Sequence, residues 1–474
     1  MRDASKTVSG VPEPESDYAI HSASFRDPAG FVLTNGKQIR RVITQSYQPQ
    51  YEFFLRSGLC EKLIDKDLII PFKEVADDKS YVEQQYKVIE PEFVPFISYP
   101  SEWSFQQLKD AALTTLDIQL LAMEHGMCLK DASSFNMQIH RGKMVHIDTL
   151  SIEFYDGKSP WVAYRQFCEH FLAPLLVLKY CDTRLNKLLC NSVAGLPLDL
   201  AVKLLPFKAF LRPTVFSHLW LHSKMQARFS SEATAPAAQS KKISQTQLTA
   251  LLNQLKRLIQ QLQLPHSQTE WGDYYSEHNY SDEALQAKTA LVQEQVKRQR
   301  PKQVLELGGN NGHFSRFIKG DCNTIVCADI DHSAVQESYL INKNEGIDNI
   351  IPLVLNFAEP TPAIGLGLTE RDSFLARSKF DMVIALAVMH HLVITCDIPM
   401  QRLATLISRM GKKLIIEYVP DSDEQIKKIT VSRPLNPALY NLDLFESAFA
   451  EVFTIKSKMP IADSGRTLYY METK

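Results

Sequence analysis

At 474 residues the chain is too long for one ordinary domain, and at 45% hydrophobic content two or three domains can each bury a core. A net charge of −2, with 22% charged residues, argues against a globally basic nucleic-acid binder. Eight scattered cysteines with no C-x-x-C pair, a start (Met1 to Lys6) without a signal-type apolar core, and no run near the ~20 apolar residues of a membrane span predict a cytoplasmic chain with reduced thiols.

Residues 1–24 are polar and Pro-containing and read as a loosely held tail. Gly30 to Leu33, the turn pair Asn35-Gly36 and Ile39 to Ile43 predict a β-hairpin. Tyr51 to Leu63 has helical spacing, with Phe54, Leu55, Leu59 and Leu63 on one side. Lys87 to Ile89 and Phe93 to Tyr99 are strand candidates, the second marked by its prolines as an edge strand or one that ends early. A long helix is predicted over Ser104 to His125, with Leu108, Ala111, Ala112, Leu116 and Leu120 in the apolar stripe and Gly126 as its stop.

Leu129-Lys130-Asp131-Ala132-Ser133-Ser134-Phe135-Asn136 follows, then a turn at Arg141-Gly142 and the run Val145-His146-Ile147-Asp148. An Asp, an Asn five residues on and a second Asp ending a short strand resemble the catalytic loop and metal-binding strand of the protein-kinase-like and aminoglycoside-kinase-like fold. The resemblance implies an α+β two-lobed domain over residues 25–229. In it Asp131 orients an acceptor hydroxyl, and Asn136 and Asp148 hold Mg²⁺ between the phosphates of ATP. The sequence departs from that pattern at Lys130, where Arg or Gly is usual, and at Thr149-Leu150, where Phe-Gly is usual. It has no Gly-rich phosphate loop, and the strand lysine falls to Arg41 or Lys73. Asp and Asn are also ordinary turn residues, so an active phosphotransferase, an inert kinase-like scaffold and a plain turn stand side by side. Phe171 to Leu178 reads as a core helix.

Residues 230–245, rich in Ala, Ser and Lys, read as the linker. Residues 246–285 hold a helix over Gln247 to Leu264, with Leu248, Leu251, Leu252, Leu255 and Leu258 on one face, and the aromatic run Glu270 to Tyr280. That run is either a flap over a ligand or a strap packed by its aromatics. The basic run Lys297 to Lys302 reads as a helix C-terminus rather than a nucleic-acid patch.

The apolar run Val304 to Leu307 leads into Gly308-Gly309-Asn310-Asn311-Gly312 and then a helix from His313. A strand, a tight Gly-rich turn and a helix bring backbone close to a nucleotide-like ligand. Asn310 is the next best residue after glycine for a left-handed conformation. A second buried run, Thr324 to Ala328, ends in Asp329-Ile330-Asp331; Asp329 is suited to ribose hydroxyls and Asp331 to the cap of the next helix. Glu306 to Gly312 resembles the first motif of class I S-adenosylmethionine-dependent methyltransferases, with a departure at Asn310. The resemblance covers residues 286–474 and implies a Rossmann-like seven-stranded sheet. It makes Glu306, Gly308, Gly309, Asn310, Gly312, Asp329, Ile330, Asn356, Phe357 and Ala385 the contacts of S-adenosylmethionine. Phe380 to Ala387 matches the fourth strand and Lys413 to Tyr418 the fifth. Asp421 to Lys428 and Leu444 to Phe449 read as helices, and Val452 to Ile455 and Leu468 to Met471 as closing strands.

The cofactor's sulfonium supplies the electrophile, so the protein must align acceptor, methyl and sulfur. His390 and His391 follow the fourth strand, where either a general-base or a packing role fits. The segment Ala385-Leu386-Ala387-Val388 replaces the Asn/Asp-Pro-Pro-Tyr/Phe of amide and base amino-methyltransferases, which disfavours a planar exocyclic amine. The architecture resembles bacterial proteins sometimes labelled nodulation-type methyltransferases. The expectation is a methyltransferase acting on a small-molecule, glycan or lipid acceptor. The rival readings are a bifunctional kinase and methyltransferase, and a methyltransferase carrying a non-catalytic, partner-binding module.

Overall fold

The computed structural model describes residues 18–36, 38–76, 80–221, 242–264, 281–431 and 436–474. The chain divides into two units, Met1–Phe53 with Pro71–Phe93, and Phe54–Ile70 with Val94–Lys474. The 230–245 linker falls largely outside the described residues, as does the whole aromatic run from Glu270 to Tyr280.

The first unit is a five-stranded antiparallel sheet of β1 (Ala19–Ile20), β2 (Gly30–Thr34), β3 (Ile39–Thr44), β4 (Phe72–Val75) and β5 (Gln85–Pro91), in the order β1-β2-β3-β5-β4. The predicted hairpin is β2–β3, with Thr34 paired to Ile39 across the turn. Gly36 takes φ 82° and the Asn35 carboxamide accepts the Gln38 N–H at 2.8 Å. Leu33, Val42 and Val88 form the small core. Of the two candidates for a strand cation, Lys73 pairs with Glu90 at 2.8 Å, and burial pulls the Arg41 pKa down to about 10.

In the second unit, α1 (Phe105–Glu124) starts on a capping box between Ser104 and Gln107 and ends before Gly126, as the sequence predicts. Phe93 to Tyr99 is not a strand. Its backbone is satisfied by side chains instead: the Gln138 carboxamide takes the N–H and C=O of Ser98, and Glu102 takes the Tyr99 N–H. Phe96 packs on Phe374 and Phe380, which makes this segment a strap. Tyr51 to Leu63 splits into helices Gln48–Arg56 and Leu59–Asp65, because Gly58 between them takes φ 74°.

Four short strands follow, β6 (Met127–Leu129), β7 (Met137–His140), β8 (Lys143–His146) and β9 (Ile152–Phe154); β6 pairs with β9 and β7 with β8. The leucine-rich helix α2 (Gln245–Gln260) buries Leu248, Leu252, Leu255 and Leu258. Its end is held by Lys109 of α1, which donates to the carbonyls of Gln260 and Leu262.

The buried runs of the C-terminal region become one sheet: β10 (Gln303–Leu307), β11 (Thr324–Asp329), β12 (Ile350–Val354), β13 (Phe380–Ala385), β14 (Gly411–Tyr418), β15 (Phe453–Pro460) and β16 (Thr467–Thr473). The order is β12-β11-β10-β13-β14-β16-β15. The first five strands are parallel, and β16 joins antiparallel to both β14 and β15. Parallel strands covered on both faces need unbroken apolar sequence, and all six residues of β11 are buried. The chain runs outward through β10, β11 and β12 and then returns to β13 on the other side of β10. That reversal leaves a crevice at the carboxyl ends of the strands.

The central helices and this sheet belong to one unit, and polar contacts join α1 and the turn before it to the sheet and its flanking helices. Gln107 donates to the Pro352 carbonyl at 2.8 Å, Asp110 accepts from Tyr339 and Lys343, and Glu102 pairs with Arg377 at 2.5 Å. The fold is mixed α/β. No helix among the described residues is long and apolar enough to cross a membrane.

Candidate functional site

The crevice is built on the turn between β10 and α4 (His313–Ile318). Gly308 takes φ 68°, Asn310 φ 48° and Gly312 φ 80°, so Asn310 adopts the left-handed conformation expected of it. The N–H groups of Gly308 and Gly309 both donate to the Ala328 carbonyl, at 2.8 and 3.1 Å, which ties the turn to β11. Each glycine is close to a neighbour. A Cβ on Gly308 would lie 3.0 Å from Val388 Cβ, on Gly309 2.4 Å from Cys327 Sγ, and on Gly312 2.6 Å from Ser338 Oγ.

Glu306 lies beneath this turn, not in the crevice. It is 1% exposed and its carboxylate accepts both the backbone N–H and the hydroxyl of Ser315. Burial pushes its pKa up to about 7 despite those bonds. Asp329, at the end of β11, accepts the Asn310 N–H on one carboxylate oxygen and the Asp331 N–H on the other, both at 2.8 Å. Burial pushes Asp329 up to about 6. Asp331 caps α5 (His332–Glu345) through the Ser333 and Ala334 N–H groups.

Gly308, Asn310, Asp329, Ile330, Asn356, Phe357 and His391 line one cleft of about 270 Å³, just below the usual range for ligand pockets. Glu306, Gly309, Gly312, Ala385 and His390 do not reach it and instead support its floor and rim. Ala385 ends β13; the next residues, Leu386, Ala387 and Val388, form the wall. Ala387 holds φ 50°, an uncommon left-handed conformation for a residue other than glycine.

The two histidines separate. His391 lines the cleft; burial, then Arg466, pulls its pKa to about 4. His390 is 1% exposed, packs on His391 with ring centroids 4.2 Å apart, and has no hydrogen-bond partner for either ring nitrogen. Burial drives its pKa well below the ordinary value. Neither imidazole keeps the near-neutral pKa that a solvent-exposed histidine has.

No protein-family model matches this sequence. Nodulation protein NoeA of Rhizobium meliloti (strain 1021) is 30% identical over 474 residues, spanning 99% of this chain and 98% of the relative. The chain belongs to the NoeA family. Among solved structures, N-methyltransferase NodS of Bradyrhizobium japonicum WM9 in complex with S-adenosyl-L-homocysteine is 10% identical. It covers 43% of this chain and 99% of its own, with a TM-score of 0.31. Magnesium protoporphyrin IX methyltransferase of Synechocystis PCC 6803, with the same ligand, is 15% identical over 43% of this chain and 93% of its own, also at a TM-score of 0.31.

One feature of this NoeA-family cleft escaped sequence reasoning. Lys288, on α3 (Asp282–Gln299), lines the cleft and is 2% exposed. Its ammonium pairs with Glu417 of β14 at 2.6 Å and lies over the Phe314 ring. Arg466 approaches Glu417 at 3.5 Å and Asp423 at 2.7 Å, so cations and carboxylates alternate behind Lys288. The available signal was positional: Lys288 falls between Ala284 and Val292, on the buried face of its helix. A lysine at such a position needs a buried partner.

The Asp131 loop lies in the same unit as the sheet. Asp131 accepts the Ser133 N–H at 2.9 Å and the Gln166 amide at 2.7 Å, an arrangement that fixes a turn. The Asn136 carbonyl accepts the Ile147 N–H at 2.8 Å, which brings the Asn136 backbone beside the approach to Asp148. The Asp148 carboxylate accepts the Leu150 N–H at 3.1 Å. Among the described residues no three His, Cys, Asp or Glu side chains gather as a metal site, so the metal expectation rests on Asn136 and Asp148 alone.

Proposed function

We propose that the chain is an S-adenosylmethionine-dependent methyltransferase whose cofactor occupies the cleft beside the Gly308–Gly312 turn. The observation that carries this reading is the sheet order. It brings the turn after β10 and the acid ending β11 to the carboxyl edge of the sheet, where they line one cleft. Asp329 would take the ribose hydroxyls, with Ile330, Asn356 and Phe357 around the base and Gly308 near the methionine part. Glu306, Gly309 and Gly312 act as positioning residues that hold the turn.

The cofactor supplies the methyl group on a sulfonium; the chain's part is alignment and exclusion of water. His391, neutral at physiological pH, faces the cleft as a hydrogen-bond partner for the acceptor. The wall Leu386-Ala387-Val388 stands where amide and base amino-methyltransferases carry Asn/Asp-Pro-Pro-Tyr/Phe, and the absence of that segment favours an oxygen, carbon or other nitrogen acceptor on a small molecule, glycan or lipid.

The test is a thermal midpoint with and without S-adenosylmethionine, followed by methyl transfer from labelled cofactor. A ligand at about 100 times its Kd stabilises by about 2.7 kcal/mol. Gly308→Trp and Asp329→Ala should each abolish the shift; an unchanged shift in both would refute this placement.

A second reading concerns the Asp131 loop. The paired strands β6–β9 and β7–β8 frame Asp131, Asn136 and Asp148, and the Asn136 side-chain nitrogen is buried without a hydrogen-bond partner. In a kinase-like site, an unpaired amide N–H donor suits a phosphate oxygen of ATP; Mg²⁺ would be held by the Asn136 side-chain oxygen and the Asp148 carboxylate. This reading predicts Mg²⁺-dependent ATP turnover that disappears in Asp148→Ala and Asn136→Ala; no turnover would leave the loop as scaffold, a partner-binding module being the remaining role.

A further inference from the structure

The stretch from Leu198 to Phe216 presents an apolar surface that neither proposed activity uses. It consists of short helical pieces, Leu198–Leu204, Phe207–Leu211 and Pro213–Val215, and Pro206 and Pro213 interrupt it because proline cannot donate to a continuing helix. The side chains divide by side. Ala201, Leu205, Ala209 and Val215 are buried, which anchors the stretch to the core. Leu200, Leu204, Phe207, Leu211 and Phe216 are exposed, Phe207 at 80% and Leu211 at 68%. The pieces also touch one another: Phe207–Leu211 packs on Pro213–Val215, and the first two pieces both meet the turn that starts at Phe216. The five outward side chains therefore belong to one compact surface. Single exposed apolar residues are normal, but a group of large ones on one surface marks an interaction site.

The charge on this surface has one sign. Lys203, Lys208 and Arg212 lie between the exposed apolar residues, and the acid of the stretch, Asp199, is held by Lys203 at 3.7 Å. Neither Lys208 nor Arg212 has an ion-pair partner among the described residues. A further cation stands beside them. Burial, then the charge of Arg212, lowers the pKa of Lys179 on the helix Ala173–Tyr180, which packs against Leu198–Leu204.

Protruding apolar side chains among unpaired cations complement an anionic lipid surface. The rings and branched chains enter the boundary between headgroups and acyl chains, and the long cationic side chains reach the phosphates. A soluble acidic protein would answer the cations but leave Phe207 and Leu211 without a reason to protrude. A second copy of this chain would set like charge against like charge.

We infer that Leu200 to Phe216 is a docking face for the surface of an anionic phospholipid bilayer, with Phe207 and Leu211 as the inserting residues and Lys208 and Arg212 as the phosphate contacts. The chain would lie on the bilayer without crossing it. The inference stands independently of the cofactor reading above.

The experiment is co-sedimentation of the full chain with vesicles of phosphatidylcholine alone and of phosphatidylcholine with about one-third phosphatidylglycerol, at low and at high salt. The chain should sediment with the phosphatidylglycerol vesicles, lose much of that binding at high salt, and bind phosphatidylcholine alone weakly. Phe207→Ser and Leu211→Ser should each weaken partitioning about tenfold, as one large apolar side chain stays in water. Lys208→Gln and Arg212→Gln should each weaken it about fivefold, the contribution of one cation near an anionic surface. Thermal melts by circular dichroism should match the parent in the Phe207, Leu211 and Lys208 variants, whose altered side chains are exposed. No sedimentation of the parent with phosphatidylglycerol vesicles, or partitioning unchanged in both serine variants, would overturn the inference. Equally strong binding to soluble polyglutamate that Phe207→Ser leaves intact would assign the face to an acidic protein instead. Sedimentation velocity without vesicles tests the remaining occupant: a parent dimer that Phe207→Ser dissociates would give the face to a second copy and overturn the inference.

Discussion

Gly309→Ala isolates why the turn needs glycine at a position with no positive φ. The added methyl would sit 2.4 Å from Cys327 Sγ and 3.1 Å from Glu306 Cδ. Neither neighbour has room to retreat: both are 1% exposed, Cys327 is in β11, and Glu306 is tied to Ser315. Overpacking of this kind costs about 1–3 kcal/mol. Cys327→Ala removes the offending sulfur and should cost about 1 kcal/mol through the small void it leaves. In the double variant the clash is gone, so its cost should fall short of the sum of the single costs by at least about 1 kcal/mol. The assay is urea unfolding of the three variants and the parent, read from the midpoint and slope of fluorescence. Calorimetry with S-adenosyl-L-homocysteine should show binding lost in Gly309→Ala and recovered in the double variant. Costs that add to within about 0.5 kcal/mol, or a Gly309→Ala protein as stable as the parent, would refute the packing argument.

Glu102→Gln leaves Arg377 buried without its counter-ion and should cost about 3–5 kcal/mol, seen as a lower thermal midpoint; a shift within error would show that the pair is solvated in solution. Asp329→Asn should weaken S-adenosyl-L-homocysteine by about 1.5–3 kcal/mol, the worth of hydrogen bonds to a charged group, and calorimetry measures it directly. Because the Asp329 pKa is raised to about 6, parental affinity should fall as pH drops through that value, and Asp329→Asn should remove that dependence. His170, His332 and His391 are all held near 4, below their ordinary 6.5. The unfolded chain then binds protons that the folded chain refuses, so their stabilisation is complete above about pH 6.5 and is lost as pH falls towards 4. Glu306 and Asp329, with raised pKa values, act in the opposite sense, so the test is a difference: His391→Phe should flatten the pH dependence of the urea midpoint relative to the parent. Parallel curves would refute the assignment.

Much of the C-terminal sheet was legible from local pattern. Parallel strands buried on both faces demand continuous apolar runs, and Val304 to Leu307, Thr324 to Ala328 and Phe380 to Ala385 supply them. The left-handed Asn310 and the cap at Asp331 were legible too, since backbone conformation at a turn depends on the residue that occupies it. Phe93 to Tyr99 was misread as a strand because its backbone partners, Gln138 and Glu102, are side chains whose positions no strand pattern encodes.

The sequence by itself determined most of the strands, turns and helices, because hydrophobic period and turn chemistry are local. Only the tertiary structure decided which candidates meet. It put Asp329, Asn310 and His391 on one cleft, sent Glu306 and His390 beneath it, and brought Lys288 to Glu417 across 129 residues of chain. It also lowered the histidine pKa values and raised those of the buried carboxylates. The physical reason is that desolvation and pairing depend on what packs around a group in three dimensions, and the partners come from distant parts of the chain.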